Sequence, residues 1–269
     1  MCERTTSLKT FDAVCGGGMR LPGRLAPYLQ DAPYQEDETG RSDSRVLLFP
    51  DKVLKIERSG AESDNERAMY AFLQDKLPVP QVYESFCEDG VNYLLLERVA
   101  GEMACFETRL MEPARTVHLL AEGIKRLWQV ETANCPADQR LSEKLLRARA
   151  RLEAGLVDPA DTEPETLKRF GSLLALYRYL DENRPPEDLV FSHGDYCLPN
   201  VFLKADAVAG FIDLGRSGVA DRFQDIALCV RSMAYNFGTA RYTDQLFEEL
   251  SVARDDAKID YYILLDELF

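Results

Sequence analysis

The residues with the greatest chemical content lie between positions 193 and 213. His193-Gly-Asp-Tyr-Cys-Leu-Pro-Asn200 sets a carboxylate, Asp195, five residues before an amide, Asn200. Gly210-Phe-Ile-Asp-Leu-Gly215 then adds a second carboxylate, Asp213, at the end of a short apolar strand. A lone aspartate in a loop is more often a turn-former or a helix cap. Three oxygen-bearing side chains at these spacings can instead gather around one nucleotide-bound metal, with Asn200 and Asp213 as oxygen ligands and Asp195 facing a nucleophile. The chemistry implied is phosphoryl transfer, and the arrangement is that of a kinase catalytic loop.

Such a loop needs a scaffold, and the pattern along the chain supplies two kinds. The first hundred residues read mostly as strands, at 45–49, 52–56, 81–83 and 91–96, punctuated by the turn signals Phe49-Pro-Asp and Glu88-Asp-Gly. One helix interrupts them: Ala68, Met69, Phe72, Leu73 and Leu77 recur at helical spacing over 63–77, before Pro78-Val-Pro. After Gly101 the texture becomes helical, most clearly in the stripe Val117, Leu120, Ala121, Ile124, Leu127 and Trp128. Further helices are expected over 141–156 and 166–180, joined by an acidic, proline-containing loop, and near 221–237, 241–252 and 258–268. Short strands at 189–192 and 209–213 flank the catalytic loop. A strand-rich lobe therefore precedes a helix-rich one.

Composition narrows the partners. Among 269 residues, 32 Lys and Arg face 46 Asp and Glu, for a net charge of −14. That excess argues against a nucleic-acid partner, because phosphate affinity needs a basic face. At 46% hydrophobic and 29% charged the chain is an ordinary globular one, long enough for one large domain or two lobes. It has no run of roughly 18 to 20 apolar residues to span a bilayer, and no apolar signal run near Met1, so no membrane partner and a cytoplasmic location are expected. Seven scattered cysteines, with no C-x-x-C pair and only two histidines, make neither a zinc site nor a disulfide framework. Cys15-Gly-Gly-Gly is followed by no Gly-Lys-Ser/Thr and reads as a plain turn.

Taken together, the segments resemble the aminoglycoside phosphotransferase family, and in detail the aminoglycoside 3'-phosphotransferases. The likeness runs from Gly40-Arg-Ser-Asp-Ser-Arg-Val through Val53-Leu-Lys-Ile to Tyr261-Tyr-Ile-Leu-Leu-Asp-Glu-Leu-Phe269. His193-Gly-Asp with a later Asn marks the wider superfamily of small-molecule kinases. The run Ile212-Asp-Leu-Gly-Arg-Ser-Gly-x-Ala-Asp221 and the Leu265-Asp-Glu-Leu-Phe269 ending are more specific to the antibiotic kinases.

The resemblance implies an α+β, two-lobed protein-kinase-like fold: a nucleotide-binding lobe with an antiparallel sheet over residues 1–98, and a mainly helical catalytic and aminoglycoside-binding lobe over 99–269. It implies Asp195 as the catalytic aspartate that orients the substrate hydroxyl, and Asn200 and Asp213 as ligands of two magnesium ions. Lys55 would contact the α and β phosphates while Glu66 fixes its ammonium, although Ser63-x-x-Glu66 also reads as a capping box. Ser42 would touch the β-phosphate from a turn at Gly40. Backbone groups of Glu97 and Val99 would bond adenine at the hinge, with Val53 where the family often has an aromatic residue. Asp225 would brace the catalytic loop, with a first-turn acid complementing the helix dipole as the simpler reading.

For the acceptor, the resemblance implies carboxylates that meet a polyamine-bearing sugar: Asp266, Glu267 and the terminal carboxylate of Phe269, with Glu165 and its acidic neighbours Asp158, Asp161 and Glu163. Thr162-x-x-Glu165 is also a possible capping box. Arg216 would lie near phosphate and substrate, with a surface ion pair to Asp221 as the rival. The expected reaction is transfer from ATP, or GTP, with Mg2+, to the 3'-hydroxyl of an aminoglycoside antibiotic, giving resistance, by a monomer or weak dimer. A kinase of a choline- or homoserine-like metabolite would keep the same five core residues but have no need of the terminal Leu265-Asp-Glu-Leu-Phe269. A non-catalytic nucleotide-binding module would be expected to have lost at least one of them.

Overall fold

The computed structural model describes residues 9–10, 21–29, 32–37 and 44–269, so the Ser42 turn and the Cys15 glycine run lie outside the described residues. Strands β1 (Lys9–Thr10), β2 (Pro33–Asp37), β3 (Arg45–Leu48), β4 (Lys52–Arg58), β5 (Val82–Glu88) and β6 (Val91–Glu97) form one antiparallel sheet in the order β1-β2-β3-β4-β6-β5. A short helix, α1 (Ala26–Leu29), precedes β2, and α2 (Ala61–Leu73) links β4 to β5.

The two-residue alternation of β4 decides where its lysine points. Leu54 and Ile56 bury on one face with Leu47, Phe49, Phe86 and Leu95, while Lys55 pairs with Leu94 and shares the other face with Val53. Leu94 and Leu96 on that face join the large core that continues into the helices, so Lys55 looks toward the second lobe. A one-residue slip would bury it in the outer core.

Helix α2 begins and ends earlier than its apolar spacing predicts. Gly60 N–H donates to Ser63 Oγ at 2.9 Å, and Asp64 N–H to Gly60 O at 2.9 Å, so the cap lies at Gly60. Ser63 is then inside the first turn, and the Ser63-x-x-Glu66 capping box does not form. After Leu73 the chain turns through Asp75, whose φ is 65°.

The second lobe runs β7 (Glu102–Met103), α3 (Glu107–Leu110), α4 (Pro113–Trp128), α5 (Leu141–Glu153), α6 (Pro164–Phe170), α7 (Leu173–Glu182), β8 (Leu189–Ser192), β9 (Val201–Lys204), β10 (Ala207–Phe211), β11 (Gly218–Asp221), α8 (Phe223–Phe237), α9 (Thr243–Leu250) and α10 (Asp256–Asp266). Helix α4 carries the expected stripe, with Val117, Leu120, Ala121, Ile124 and Leu127 fully buried. Small antiparallel sheets, β10-β9-β7 and β11-β8, hold the catalytic loop between them.

The single helix expected over 166–180 is two. Gly171, at φ 75°, ends α6, and Ser172 Oγ accepts from Ala175 N–H at 3.2 Å to start α7. Leu167, Phe170, Leu173, Leu176 and Leu180 keep helical spacing across this break and disguise it in the sequence. The antiparallel-sheet lobe over a mainly helical one is the kinase-like α+β architecture. Among the described residues no helix is long and apolar enough to cross a membrane.

Candidate active site

The catalytic loop is held from beneath by one buried carboxylate. Asp225, fully buried in the first turn of α8, accepts from His193 N–H, Gly194 N–H and Ser192 Oγ–H, each at 2.9 Å. Burial pushes its carboxyl up, and the three donors oppose this. The brace expected of Asp225 is therefore present. Ser217 Oγ adds a bond to His193 O at 2.8 Å, and the His193 ring Nε2 lies 3.0 Å from Ile212 O.

At Gly194 the loop passes hard against the segment after Asp213. Its φ is 83°, and a Cβ there would sit 1.9 Å from the carbonyl oxygen of Arg216. Glycine is required both by conformation and by space.

Asp195 and Asn200 are locked to each other. Asn200 Nδ2 donates to the backbone oxygen of Asp195 and to its Oδ2, both at 3.0 Å, which leaves Asn200 Oδ1 as an acceptor atom. Burial, then the nearby Asp266 charge, push the Asp195 carboxyl above the ordinary range, while Arg216 and His193 oppose them.

Asp213 sits in a left-handed conformation, φ 60°, with its side chain half-exposed in the interlobe cleft. Its Oδ1 is 3.2 Å from Lys55 Nζ. Enclosure alone would push Asp213 up, but the ammonium wins and holds it below the usual carboxylate range. Lys55 Nζ also donates to Glu66 Oε2 at 2.7 Å, on a side chain only 2% exposed. Burial opposes the charged lysine, yet Glu66, Asp213 and Glu57 together raise its pKa, so it stays an ammonium.

The acceptor candidates are wired to this centre unequally. Arg216 Nη1 donates to Asp266 Oδ1 at 3.2 Å, and its Nε reaches both carboxylate oxygens of Glu62 on α2 at 3.3 Å. The rival surface pair of Arg216 with Asp221 is not formed, because Asp221 is fully buried and bound by Lys258 Nζ at 2.7 Å. Arg231 Nη2 meets Asp266 Oδ2 at 2.5 Å. Glu267 turns away to accept from Glu163 N–H at 2.9 Å and Thr166 Oγ1 at 3.1 Å. The Thr162-x-x-Glu165 capping box does not form: Thr162 Oγ1 is buried without a hydrogen bond, while Glu165 is exposed and pairs with Lys168 at 3.7 Å.

The Phe269 ring has Lys144 Nζ at 5.9 Å and the guanidinium carbons of Arg151 and Arg216 at 5.8 Å from its centroid. Arg151 Nε donates to Leu268 O at 3.1 Å. Glu97 ends β6, its N–H given to Gln81 O at 2.8 Å, and Val99 is half-buried in the connection to β7. Sequence reasoning missed Glu62, Asn65, Lys144 and Arg231. Of these only Asn65, beside Glu66, had a neighbour that could have drawn attention to it.

A lysine–glutamate pair on the sheet lobe, facing an aspartate–asparagine loop and a second aspartate on the helical lobe, defines a phosphotransferase of the kinase-like class. The chain belongs to the phosphotransferase enzyme family, whose model matches residues 34–262. It is 40% identical over 201 residues to an aminoglycoside 3'-phosphotransferase of Niallia circulans, covering 74% of this chain and 76% of that one. With an aminoglycoside 3'-phosphotransferase of Enterococcus faecalis it shares 38% identity over 261 residues, 93% of this chain and 99% of the other. The crystal structure of an aminoglycoside-3'-phosphotransferase of type VIII superposes with a TM-score of 0.75 at 27% identity, covering 88% of this chain and 94% of that one.

Proposed function

We propose that this protein transfers the γ-phosphoryl group of ATP to the 3'-hydroxyl of an aminoglycoside antibiotic and so confers resistance. The observation that carries the reading is the pairing of Asp266, in the Leu265-Asp-Glu-Leu-Phe269 segment, with Arg216, three residues after Asp213. A kinase of a choline-like metabolite would have no need of that carboxylate beside the centre.

Residues 1–98 are taken as the nucleotide lobe and 99–269 as the catalytic and acceptor lobe. Lys55, held charged, offers its ammonium to the α and β phosphates while Glu66 fixes its direction. Backbone groups of Glu97 and Val99 are suited to adenine. Asn200 and Asp213 provide hard oxygen donors. Among the described residues there is no cluster of three or more His, Cys, Asp or Glu side chains that could cage an ion. That donor set fits magnesium, which takes one or two protein oxygens and completes its shell with phosphates and water. Held by Asn200 and Asp213, Mg2+ would supply positive charge that neutralises the phosphates during transfer.

Asp195 accepts the hydrogen of the attacking hydroxyl and fixes its direction, with Asn200 Nδ2 holding the carboxylate still. Because the transition state is loose, that orientation contributes more than strong basicity. Asp266, beside Arg216, is the carboxylate that receives an ammonium group of the acceptor, whereas Glu267 and Glu165 are engaged by Thr166 and Lys168.

The test is a coupled ADP-release assay with ATP and Mg2+, comparing kanamycin, neomycin and a 3'-deoxy analogue with choline and homoserine. Turnover of kanamycin that disappears with the 3'-deoxy compound and with Asp195→Ala supports both reaction and site. Turnover of choline or homoserine alone overturns the aminoglycoside reading.

A further inference from the structure

We propose that Asn65 is a positioning residue: it bolts helix α2 to the 215–217 segment and thereby sets the distance between the Lys55–Glu66 pair and Asp213. The inference rests on the nucleotide-site reading above. Asn65 is adjacent to Glu66 but faces a different partner. Its Nδ2 donates to Gly215 O and to Ser217 O, both at 2.9 Å, across about 150 residues of sequence. Two acceptors at that distance from one atom fix the amide's orientation, since the oxygen could bond neither.

The contact is close along its whole length. A Cβ at Gly215 would lie 3.1 Å from the backbone oxygen of Glu62, so the first turn of α2 rests directly on the loop. Glu62 adds its carboxylate to Arg216 on the same loop. Ser217, whose carbonyl takes one bond from Asn65, gives its hydroxyl to His193 O at 2.8 Å, and His193 N–H is held by Asp225. One amide therefore joins three parts: the helix that carries Glu66, the segment that follows Asp213, and the loop that carries Asp195. In many kinases the corresponding lysine–glutamate pair must be brought into place before activity. Here the pair is at 2.7 Å and Asp213 at 3.2 Å from the same ammonium, with the Asn65 bonds holding the two lobes in register.

The experiment compares wild type with Asn65→Ala, Asn65→Asp and Asn65→Gln. The Ala variant removes the donor, the Asp variant turns an anion toward two carbonyl oxygens, and the Gln variant keeps an amide on a longer arm. For Ala and Asp, kcat should fall roughly ten- to a hundred-fold, while KM for ATP and the Mg2+ concentration for half-maximal rate rise. KM for the acceptor should stay at the wild-type value, and Gln should recover part of the loss. A readout without turnover is the thermal shift given by ADP with Mg2+, which should shrink in the Ala and Asp variants. A lower Tm with unchanged KM for ATP, unchanged Mg2+ dependence and a full ADP shift would mean a merely structural asparagine and would overturn the proposal. If wild type turns over no aminoglycoside yet shows an ADP shift, the acceptor reading fails, and the shift in the variants still decides the role of Asn65. Absence of any ADP shift in wild type would overturn the nucleotide site and the proposal together.

Discussion

Asp266 and Arg216 face each other at 3.2 Å, and the same guanidinium spans to Glu62 on the sheet lobe. The Asp266 carboxylate is thus already neutralised, with Arg231 on its other oxygen. Arg216 in turn offsets the mutual repulsion of Asp195 and Asp266, which enclosure would otherwise amplify.

Arg216→Ala should therefore change the pH profile as well as the rate. The arginine favours the charged form of Asp195, so its removal raises the Asp195 pKa further, and the acid limb of kcat/KM moves to higher pH. In wild type that limb should already lie above the ordinary aspartate value of about 3.9. A kcat/KM profile from pH 5 to 9 checks both statements, and an unmoved acid limb in the variant would separate Arg216 from Asp195.

Gly194→Ala should cost roughly a hundred-fold or more in kcat. The new Cβ would collide with the Arg216 carbonyl, and both segments carry functional groups, so neither can move without displacing Asp195 or Asp213. Gly155 is a useful control, since it too has positive φ, 67°, but a Cβ there meets nothing within 4 Å. Gly155→Ala should keep full kcat and lose only about 1 kcal/mol of stability to backbone strain. Steady-state kinetics beside thermal melts distinguish the two.

The core of the site was legible because its chemistry is carried by residue types at short spacing: Asp195 with Asn200, and Lys55 with Glu66. The face Lys55 takes was not part of that pattern; it comes from the pairing of β4 with β6. What escaped was made by tertiary contact. Asn65 finds its carbonyls, and Arg231 finds Asp266, only after the chain has folded, with no local pattern to announce them. The acidic C-terminus was read as one group, yet Asp266 faces the arginines while Glu267 turns to Thr166. At 171–172 the signals were present, a glycine stop and a serine start, but the unbroken apolar spacing outweighed them.

Lys258→Met should destabilise the fold without altering catalysis by the folded enzyme. Asp221 is fully buried and accepts from Asp188 N–H and Phe223 N–H at 2.7 Å as well as from Lys258. Removing the lysine leaves a buried anion with two amides and no counter-charge, a loss of about 3–5 kcal/mol. Urea unfolding should show this as a lower midpoint, while kcat at low temperature stays at the wild-type value. An unchanged midpoint would mean that the pair is replaceable by water.

Lys144 reverses that logic, since its ammonium is a liability. The side chain is 6% exposed on α5 near the Phe269 ring, and burial pulls its pKa down to about 8, with Asp266 opposing and Arg216 and Arg147 assisting. The unfolded chain has a lysine pKa near 10.4. Between these values the unfolded state binds more protons than the native one, so stability rises with pH across that window. Below pH 8 the full penalty of the buried charge is present, on the order of 3 kcal/mol. Lys144→Met, which keeps the volume and removes the charge, should accordingly raise the unfolding free energy at pH 7, with the gain shrinking as pH climbs toward 10. Denaturant titrations of both proteins at pH 7, 8.5 and 10 measure the difference directly. A gain that is the same at all three pH values would assign the effect to packing and remove the buried charge as its cause.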